Sequence, residues 1–347
     1  MPVTVVVGGQ YGSEGKGKVA HYLAKEMNAS VAIRCGGPNS GHTVIDPKGN
    51  PIIFQQLPTA SILRDVICVL CAGTYIDLDI LKREIEITGL DSKRLYIDPN
   101  AVIITPEIHE AEQNRGLRET IGSTGSGTGE AVLHRIQRKQ NITFAKDISF
   151  LQQYVKETNS FLRRQLSRNE RIIIEGTQGF GLSLIHSPFY PYVTSRDTTA
   201  ASFVSEAGLS PFDVDDIVLI IRSYPIRVCG NSGPLLNEID WKTLSDESGS
   251  VKLISEYTSV SKKLRRIARF DPDIVRFAIS VNKPSRIVLN HIDYIDFPIS
   301  NNLRITKKQL SFIKQVQSSI EKDIDYLGLG PGTIINRKSY FSIAAIN

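Results

Sequence analysis

The sequence predicts an α/β fold with a mainly parallel central sheet flanked by helices and an inserted smaller lobe. Three observations lead there. Short apolar, β-branched runs alternate with stretches of helical periodicity. The first run feeds a glycine-rich turn that opens directly into a helical pattern. Several apolar runs end in Gly, Asn, Asp or Thr, the residues that gather at the carboxyl ends of parallel strands, where such sheets bind ligands.

Val3–Val7 reads as a buried strand, residues Gly15–Glu26 as the first helix and Val31–Arg34 as a second strand, a β-loop-α-β opening. Further strands are expected at Val66–Cys71, Ile172–Glu175, Ile217–Arg222 and Ile287–Asn290. Helices are expected at Leu78–Ile87, Ile148–Gln165, Pro272–Val281 and Lys307–Ile324. There is no repeat, low-complexity tract or linker, so residues 1–347 read as a single domain with an excursion near 230–280.

Composition excludes several classes. The longest apolar runs, Val66–Ala72 and Ile217–Ile221, fall far short of the ~20 residues a bilayer span needs. The N-terminus shows no basic leader or cleavage site, and the four cysteines (Cys35, Cys68, Cys71, Cys229) make no disulfide framework, so a cytoplasmic setting is expected. Cys68 and Cys71 have no second pair for zinc and read as part of a buried strand. The net charge of +5 suits phosphorylated small molecules. Lys262–Arg269 holds five basic residues in eight, but no aromatic residue interleaves with them, which argues against nucleic acid.

Residues Gly8 to Lys18, GGQYGSEGKGK, lie between the first strand and first helix. Glycines there let backbone amides approach an anion, the helix N-terminus adds partial positive charge, and Lys16 adds a full one. The body is therefore P-loop-like in its task. It departs from the common G-x-x-x-x-G-K-[ST] pattern, because five residues separate Gly9 from Gly15 and Gly17 stands where Ser or Thr would be.

Five further segments join this loop in a resemblance. Gly12–Lys18 resembles the G-D-E-G-K-G-K loop of the adenylosuccinate synthetase family, and Asn39–Thr43 its N-A-G-H-[ST] segment. Gly122–Gly127 is similar to T-T-G-x-G, Glu175–Gly179 to E-G-[AT]-Q-G and Tyr190–Ser195 to Y-P-Y-V-T-S. Thr258–Arg266 aligns with the aspartate loop T-T-G-R-P-R-R. The segments run collinearly over roughly residues 3–335, and the short chain resembles the compact archaeal and viral members.

The resemblance implies a ligase that joins L-aspartate to C6 of a 6-oxopurine nucleotide through a 6-phosphoryl intermediate, with Mg²⁺ as cofactor. Ser13, Glu14, Gly15, Lys16 and Gly17 would wrap the triphosphate, with Gly41, His42 and Thr43 beside it. Ser13 and the Gly41 carbonyl would face the metal, and Ser13, Lys16 and His42 would carry the catalysis. Ser13, Asn39, Thr124, Gly125, Gln178, Thr194, Val228 and Lys263 would bind the nucleoside monophosphate. Arg138 would reach it from the neighbouring subunit of a homodimer. Ser259, Val260, Ser261, Arg265 and Arg266 would bind aspartate, where a guanidinium fork suits carboxylates. His291 and Asp293, from a segment similar to T-K-x-D, would hold the base of the energy donor, with Gly330 and Pro331 as the opposite wall.

One departure bears on the substrate. The family loop carries Asp where this chain has Ser13, and that Asp takes the N1 proton of hypoxanthine. A serine hydroxyl is not appreciably ionised near neutrality, but it is shorter and can accept a hydrogen bond from a 2-amino group. The exchange resembles the viral branch of the family, which makes 2-aminoadenylosuccinate from dGMP. The expected substrates are dGMP, L-aspartate and ATP, with GTP as the alternative donor. The γ-phosphate or a magnesium-bound water would take the N1 proton, with Ser13 as relay. Two alternatives stand beside this reading: a conventional synthetase acting on IMP with GTP, and a non-catalytic nucleotide-binding switch. The aspartate loop also departs, with Lys262 and Lys263 in place of Gly and Arg. The segment Arg227–Pro234 is two residues longer than the family's R-V-G-A-G-P.

Overall fold

A computed structural model of the chain describes residues 2–258, 262–297 and 304–344. Its centre is a nine-stranded sheet. In spatial order the strands are Thr333–Asn336, Tyr326–Leu329, Arg286–Asn290, Val214–Arg222, Val3–Gly8, Ile172–Glu175, Val31–Arg34, Ile67–Leu70 and Leu95–Ile97. Every neighbouring pair is parallel except the last hairpin, Tyr326–Leu329 with Thr333–Asn336. The α/β class and the mainly parallel sheet expected from the sequence are therefore observed.

The apolar runs are continuous because helices cover both faces. Val3, Val5, Val7, Ile33, Ile172, Ile174, Leu219 and Ile221 point into one core. Val6, Ala32, Ile173, Val218, Ile220 and Val288 point into the other, against Val19 and Leu23 of the helix Lys16–Glu26. The central strand Val3–Gly8 is buried along its whole length. Its loop thus emerges from the buried centre of the sheet.

The excursion forms a three-stranded sheet of Ile226–Arg227, Arg266–Ala268 and Glu238–Ile239, covered by the helix Trp241–Ser248. The helix Pro272–Asn282 then returns to the main body, packing beside the strand Val214–Arg222.

Some expected elements differ. The helix expected over Ile148–Gln165 is a 3₁₀ turn, Ser149–Leu151, followed by a helix, Thr158–Ser167. Between them Val155 bridges alongside Ile97, and the Glu157 carboxylate caps the true helix by accepting from the Asn159 and Ser160 amides. The helix begun at Lys307 ends at Ile320, where Glu321 turns left-handed at φ 53°. The strands Leu95–Ile97 and Tyr326–Leu329 were not expected.

Candidate active site

The turn after Val3–Gly8 is organised by Glu14. This carboxylate is fully buried, and its Oε1 accepts from the amides of Gln10 (3.1 Å) and Gly12 (2.8 Å). Its Oε2 accepts from Lys16 Nζ at 2.7 Å. Glu14 is therefore spent on holding the loop. Ser13 is exposed at the tip in a left-handed conformation, φ 57°. Its carbonyl accepts from Arg222 Nη1 at 2.9 Å. Gly15 starts the helix at φ 89°, and a Cβ there would meet Asn290 Nδ2 at 2.7 Å. Gly17 has a steric cause: a Cβ would lie 2.8 Å from both His42 Cβ and Thr59 Cγ2.

His42 opens the strand His42–Ile45 and is almost fully buried, with Gly41 before it and Thr43 after it. Its Nδ1 and Arg34 Nη1 converge on Glu175 Oε1 at 2.5 and 2.7 Å, and Arg34 Nη1 also lies against Nδ1. Glu175 Oε2 accepts from the Thr59 amide (2.8 Å) and hydroxyl (2.7 Å). Burial and then the Arg34 charge push His42 down to about 3, against the pull of Glu175. Burial alone would raise Glu175, but the His42 hydrogen bond and the Arg34 charge outweigh it and hold the carboxylate at about 2. His42 therefore rests as a neutral ring whose Nδ1–H faces a carboxylate, leaving Nε2 as the nitrogen available to a ligand. Sequence reasoning quoted Glu175 in its motif without giving it a role, and it missed Arg34.

The residues expected around the monophosphate fall on several separate segments of the chain. Gln178 follows the strand Ile172–Glu175 at φ 59°, and its Oε1 lies 4.0 Å from where a Cβ on Gly12 would sit, beside the phosphate loop. Asn39 has a buried Oδ1 without a hydrogen-bond partner. Thr124 is exposed next to Gly125, which is left-handed at φ 66°. The Thr194 amide donates to the Leu182 carbonyl at 2.8 Å. The Val228 carbonyl accepts from Ser232 Oγ at 2.6 Å. Arg138 is exposed just past the helix Thr128–Ile136, at φ 55°.

Arg265 and Arg266 are not brought to one acceptor. At the start of a strand, consecutive side chains take opposite sides. Arg265 Nη1 reaches Glu256 Oε2 at 3.3 Å. Arg266 instead grips Glu238 through Nε (2.8 Å) and Nη2 (2.5 Å) and donates through Nη1 to the Gly233 carbonyl at 2.7 Å. The exposed Lys263 donates its amide to Thr258 Oγ1 at 3.0 Å. Ser259, Val260 and Ser261 lie outside the described residues.

At the opposite side, His291 turns left-handed (φ 60°) into a short 3₁₀ turn, Ile292–Tyr294. Burial, then the Arg222 charge, hold His291 well below its ordinary value. Asp293 is raised by burial, and its Oδ1 is buried without a hydrogen-bond partner. Lys18 donates to the Gly330 carbonyl at 3.0 Å, next to the exposed Pro331, and burial lowers it to about 8. Two lone acceptors, Asp293 Oδ1 and Asn290 Oδ1, thus sit near one cation.

A family sequence profile, that of adenylosuccinate synthetase, matches residues 5–146 and 143–307. The chain belongs to the adenylosuccinate synthetase family. It is thus a C–N bond-forming ligase of purine nucleotide biosynthesis. The adenylosuccinate synthetase of Methanococcus aeolicus is 35% identical over 338 residues, covering 95% of this chain and 97% of the relative. That of Archaeoglobus fulgidus is 32% identical over 95% of this chain and 96% of its own length. Among solved structures, cyanophage S-2L succinoaminodeoxyadenylate synthetase (PurZ), bound to dGMP and to dATP as an energy donor, aligns with a TM-score of 0.82. It is 29% identical and covers 99% of both chains. Fully ligated adenylosuccinate synthetase from Plasmodium falciparum also aligns at 0.82, over 97% of this chain and 100% of its own. At 21% identity it speaks to the fold alone. No described helix is long and apolar enough to cross a membrane.

The family uses Mg²⁺ with a nucleoside triphosphate, and the donor set here fits such an ion. Among the described residues no group of three His, Cys, Asp or Glu side chains could cage a metal, and both oxygens of the buried Glu14 are already engaged by three donors. The oxygens expected to face the ion are neutral ones, the hydroxyl of the exposed Ser13 and the Gly41 carbonyl. Magnesium readily accepts few protein ligands when phosphate and water complete its shell.

Proposed function

We propose that this chain condenses L-aspartate with dGMP, driven by ATP, to give N6-succino-2-amino-2′-deoxyadenylate, ADP and phosphate. The observation that carries the reading is the tip of the phosphate loop. The exposed side chain there is the Ser13 hydroxyl, and the one adjacent carboxylate, Glu14, is turned inward and fully paired. A base that must share its edge with a 2-amino group gains both space and an acceptor from that hydroxyl. The cyanophage relative bound to dGMP supports this choice.

Lys16 and the loop amides of Ser13–Gly17 hold the triphosphate, beside Thr43. Ser13 and Gly41 would hold Mg²⁺, which supplies charge neutralisation on the phosphates. Asn39, Thr124, Gly125, Gln178, Thr194, Val228 and Lys263 position dGMP, with Arg138 from a second subunit of a homodimer. His291, Asp293, Gly330 and Pro331 receive the adenine of ATP. Arg265, with Ser259, Val260, Ser261 and Arg266, receives aspartate.

The chemistry has two steps. In the first, the N1 proton of dGMP passes through the Ser13 hydroxyl to a γ-phosphate oxygen. O6 then bonds to the γ-phosphorus as the bond to the bridging oxygen breaks, releasing ADP. His42 is neutral until phosphate approaches. The added negative charge then raises its proton affinity, so an imidazolium forms only with substrate in place and stabilises the phosphoryl oxygens. In the second step the aspartate amine bonds to C6, the C6–O bond breaks, phosphate leaves with O6, and the amine proton passes to that phosphate.

A second reading, IMP with GTP, is favoured by the curated archaeal relatives and by Asp293, whose buried Oδ1 lacks a hydrogen-bond partner and whose carboxylate suits the N1–H and N2–H of guanine. One assay separates them. The protein is incubated with Mg²⁺, aspartate, ATP or GTP, and each of dGMP, GMP, IMP and dIMP, and the succinylated purine is identified by mass. Turnover of dGMP with ATP is expected. Preferential consumption of IMP would overturn the proposal.

A further inference from the structure

The Glu256 carboxylate sits where three parts of the site meet, and the chemistry above gives it no task. Arg222 Nη1 approaches its Oε2 at 3.3 Å, and Arg222 Nη2 contacts Oε1. Arg265 Nη1 reaches the same Oε2 at 3.3 Å. The Tyr294 hydroxyl donates to Oε1 at 3.0 Å. Each partner leads to a different subsite. Arg222 is fully buried and donates to the Ser13 carbonyl at 2.9 Å. Its own peptide groups are bracketed by the Gln10 side chain, at 2.9 and 3.2 Å, so it grips both ends of the Gln10–Ser13 turn. Tyr294 directly follows Asp293. Arg265 stands in the aspartate loop.

Charge makes this a shared acceptor. Two guanidinium groups face one carboxylate, and the Nε of each lacks a hydrogen-bond partner. Arg222 holds Glu256 through two nitrogens and is anchored elsewhere. The Arg265 backbone is pinned, its amide donating to the Glu256 carbonyl at 2.9 Å, but its guanidinium meets the carboxylate through one contact at 3.3 Å and is the looser of the two. An incoming aspartate brings two carboxylates to a cluster in which two guanidinium groups share one carboxylate.

We propose that Glu256 is a positioning residue that couples aspartate binding to the phosphate loop. With the aspartate subsite empty, Glu256 divides its charge between Arg265 and Arg222. When aspartate takes Arg265, Glu256 is left to Arg222, which fastens the Ser13 carbonyl and so firms the triphosphate cradle. Coupling of this kind is reciprocal, so bound triphosphate tightens aspartate in equal measure. The inference rests on the reading of Arg265 as an aspartate ligand.

The test compares the aspartate KM at limiting and at saturating Mg-ATP, with dGMP saturating, in the wild type and in Glu256→Gln, Glu256→Asp and Tyr294→Phe. The wild-type ratio is expected to lie at about 5- to 150-fold, the usual span of a coupling between sites. It should fall to about one in Glu256→Gln, recover partly in Glu256→Asp and decline in Tyr294→Phe, which removes only a hydrogen bond. A merely structural Glu256 would lower kcat and the melting temperature but leave the ratio unchanged, and that result overturns the proposal. If Glu256→Gln does not fold, an unchanged ratio in Tyr294→Phe overturns it equally. Turnover with unchanged ratios defeats the coupling alone. Absence of aspartate-dependent turnover with every 6-oxopurine nucleotide defeats the coupling and the functional reading together.

Discussion

Replacing Glu175 with glutamine tests the buried centre of the site. The carboxylate now receives four donors: His42 Nδ1, Arg34 Nη1, and the Thr59 amide and hydroxyl. A glutamine offers one acceptor oxygen and places an NH₂ where a second acceptor stood. Whichever way it turns, donors face donors. Arg34, only 1% exposed, loses the one carboxylate with which it forms an ion pair among the described residues. Removing one member of a buried ion pair costs about 3–5 kcal/mol, because the remaining charge stays buried and uncompensated. The same change frees the His42 ring from its orienting acceptor, so kcat should fall by about 100-fold, the low end of what acid–base groups contribute. Urea denaturation followed by circular dichroism gives the first quantity and steady-state turnover the second. A loss below about 1 kcal/mol, the range of an exposed pair, would refute the buried-charge reasoning. Full activity would show that His42 does not depend on Glu175 for its orientation.

Ser13→Asp should abolish most dGMP turnover and introduce turnover of IMP. Unchanged dGMP kinetics would count against the role given to that hydroxyl. Gly179→Ala should disable the phosphate loop, because the new methyl would land on Glu14 Oε1, the Gln10 carbonyl and the Gly12 amide; ATP binding measured by calorimetry should weaken at least tenfold, roughly 1.4 kcal/mol. Acid should destabilise the protein through His42. Between its ordinary value of 6.5 and about 3, the unfolded chain binds a proton that the folded chain refuses, so stability is lost as pH falls through that window. Glu175 adds a further loss between 4.5 and about 2. The urea midpoint of the wild type should therefore decline more steeply from pH 6.5 to 3 than that of His42→Gln.

The centre of the sheet is legible because strands covered on both faces must be apolar throughout, as Val3–Val7 and Ile172–Ile174 are. Tyr326–Leu329 escapes notice because its glycine resembles turn punctuation. Gly328 is there for another reason, since a Cβ would overlap the Asn290 side chain. The helix wrongly extended through Ile148–Gln165 shows the opposite failure. Val155 fits helical spacing, yet its backbone bridges alongside Ile97. The phosphate loop and the Asn39–Thr43 segment are local in sequence and could be read directly. The links that set their chemistry are not local: Glu175 meets His42 across 133 positions, and Glu256 meets Arg222 across 34. No spacing rule reaches that far. Arg265 and Arg266 look like a pair in one dimension, and strand geometry separates them.

The strand Val3–Gly8 divides the sheet into two flanks built from different stretches of chain. One flank, with Ile172–Glu175 and Val31–Arg34, ends at His42, Asn39 and Gln178. The other, with Val214–Arg222, Arg286–Asn290 and Tyr326–Leu329, ends at His291, Asp293 and Gly330. Under the proposed function, only the base of the energy donor is met wholly from the second flank, whereas both flanks reach the monophosphate and the triphosphate. If that reading holds, a chimaera importing residues 286–332 from an archaeal relative should change the preferred energy donor with less effect on the acceptor, because a continuous stretch of chain on one edge of the sheet supplies the wall around the donor's base.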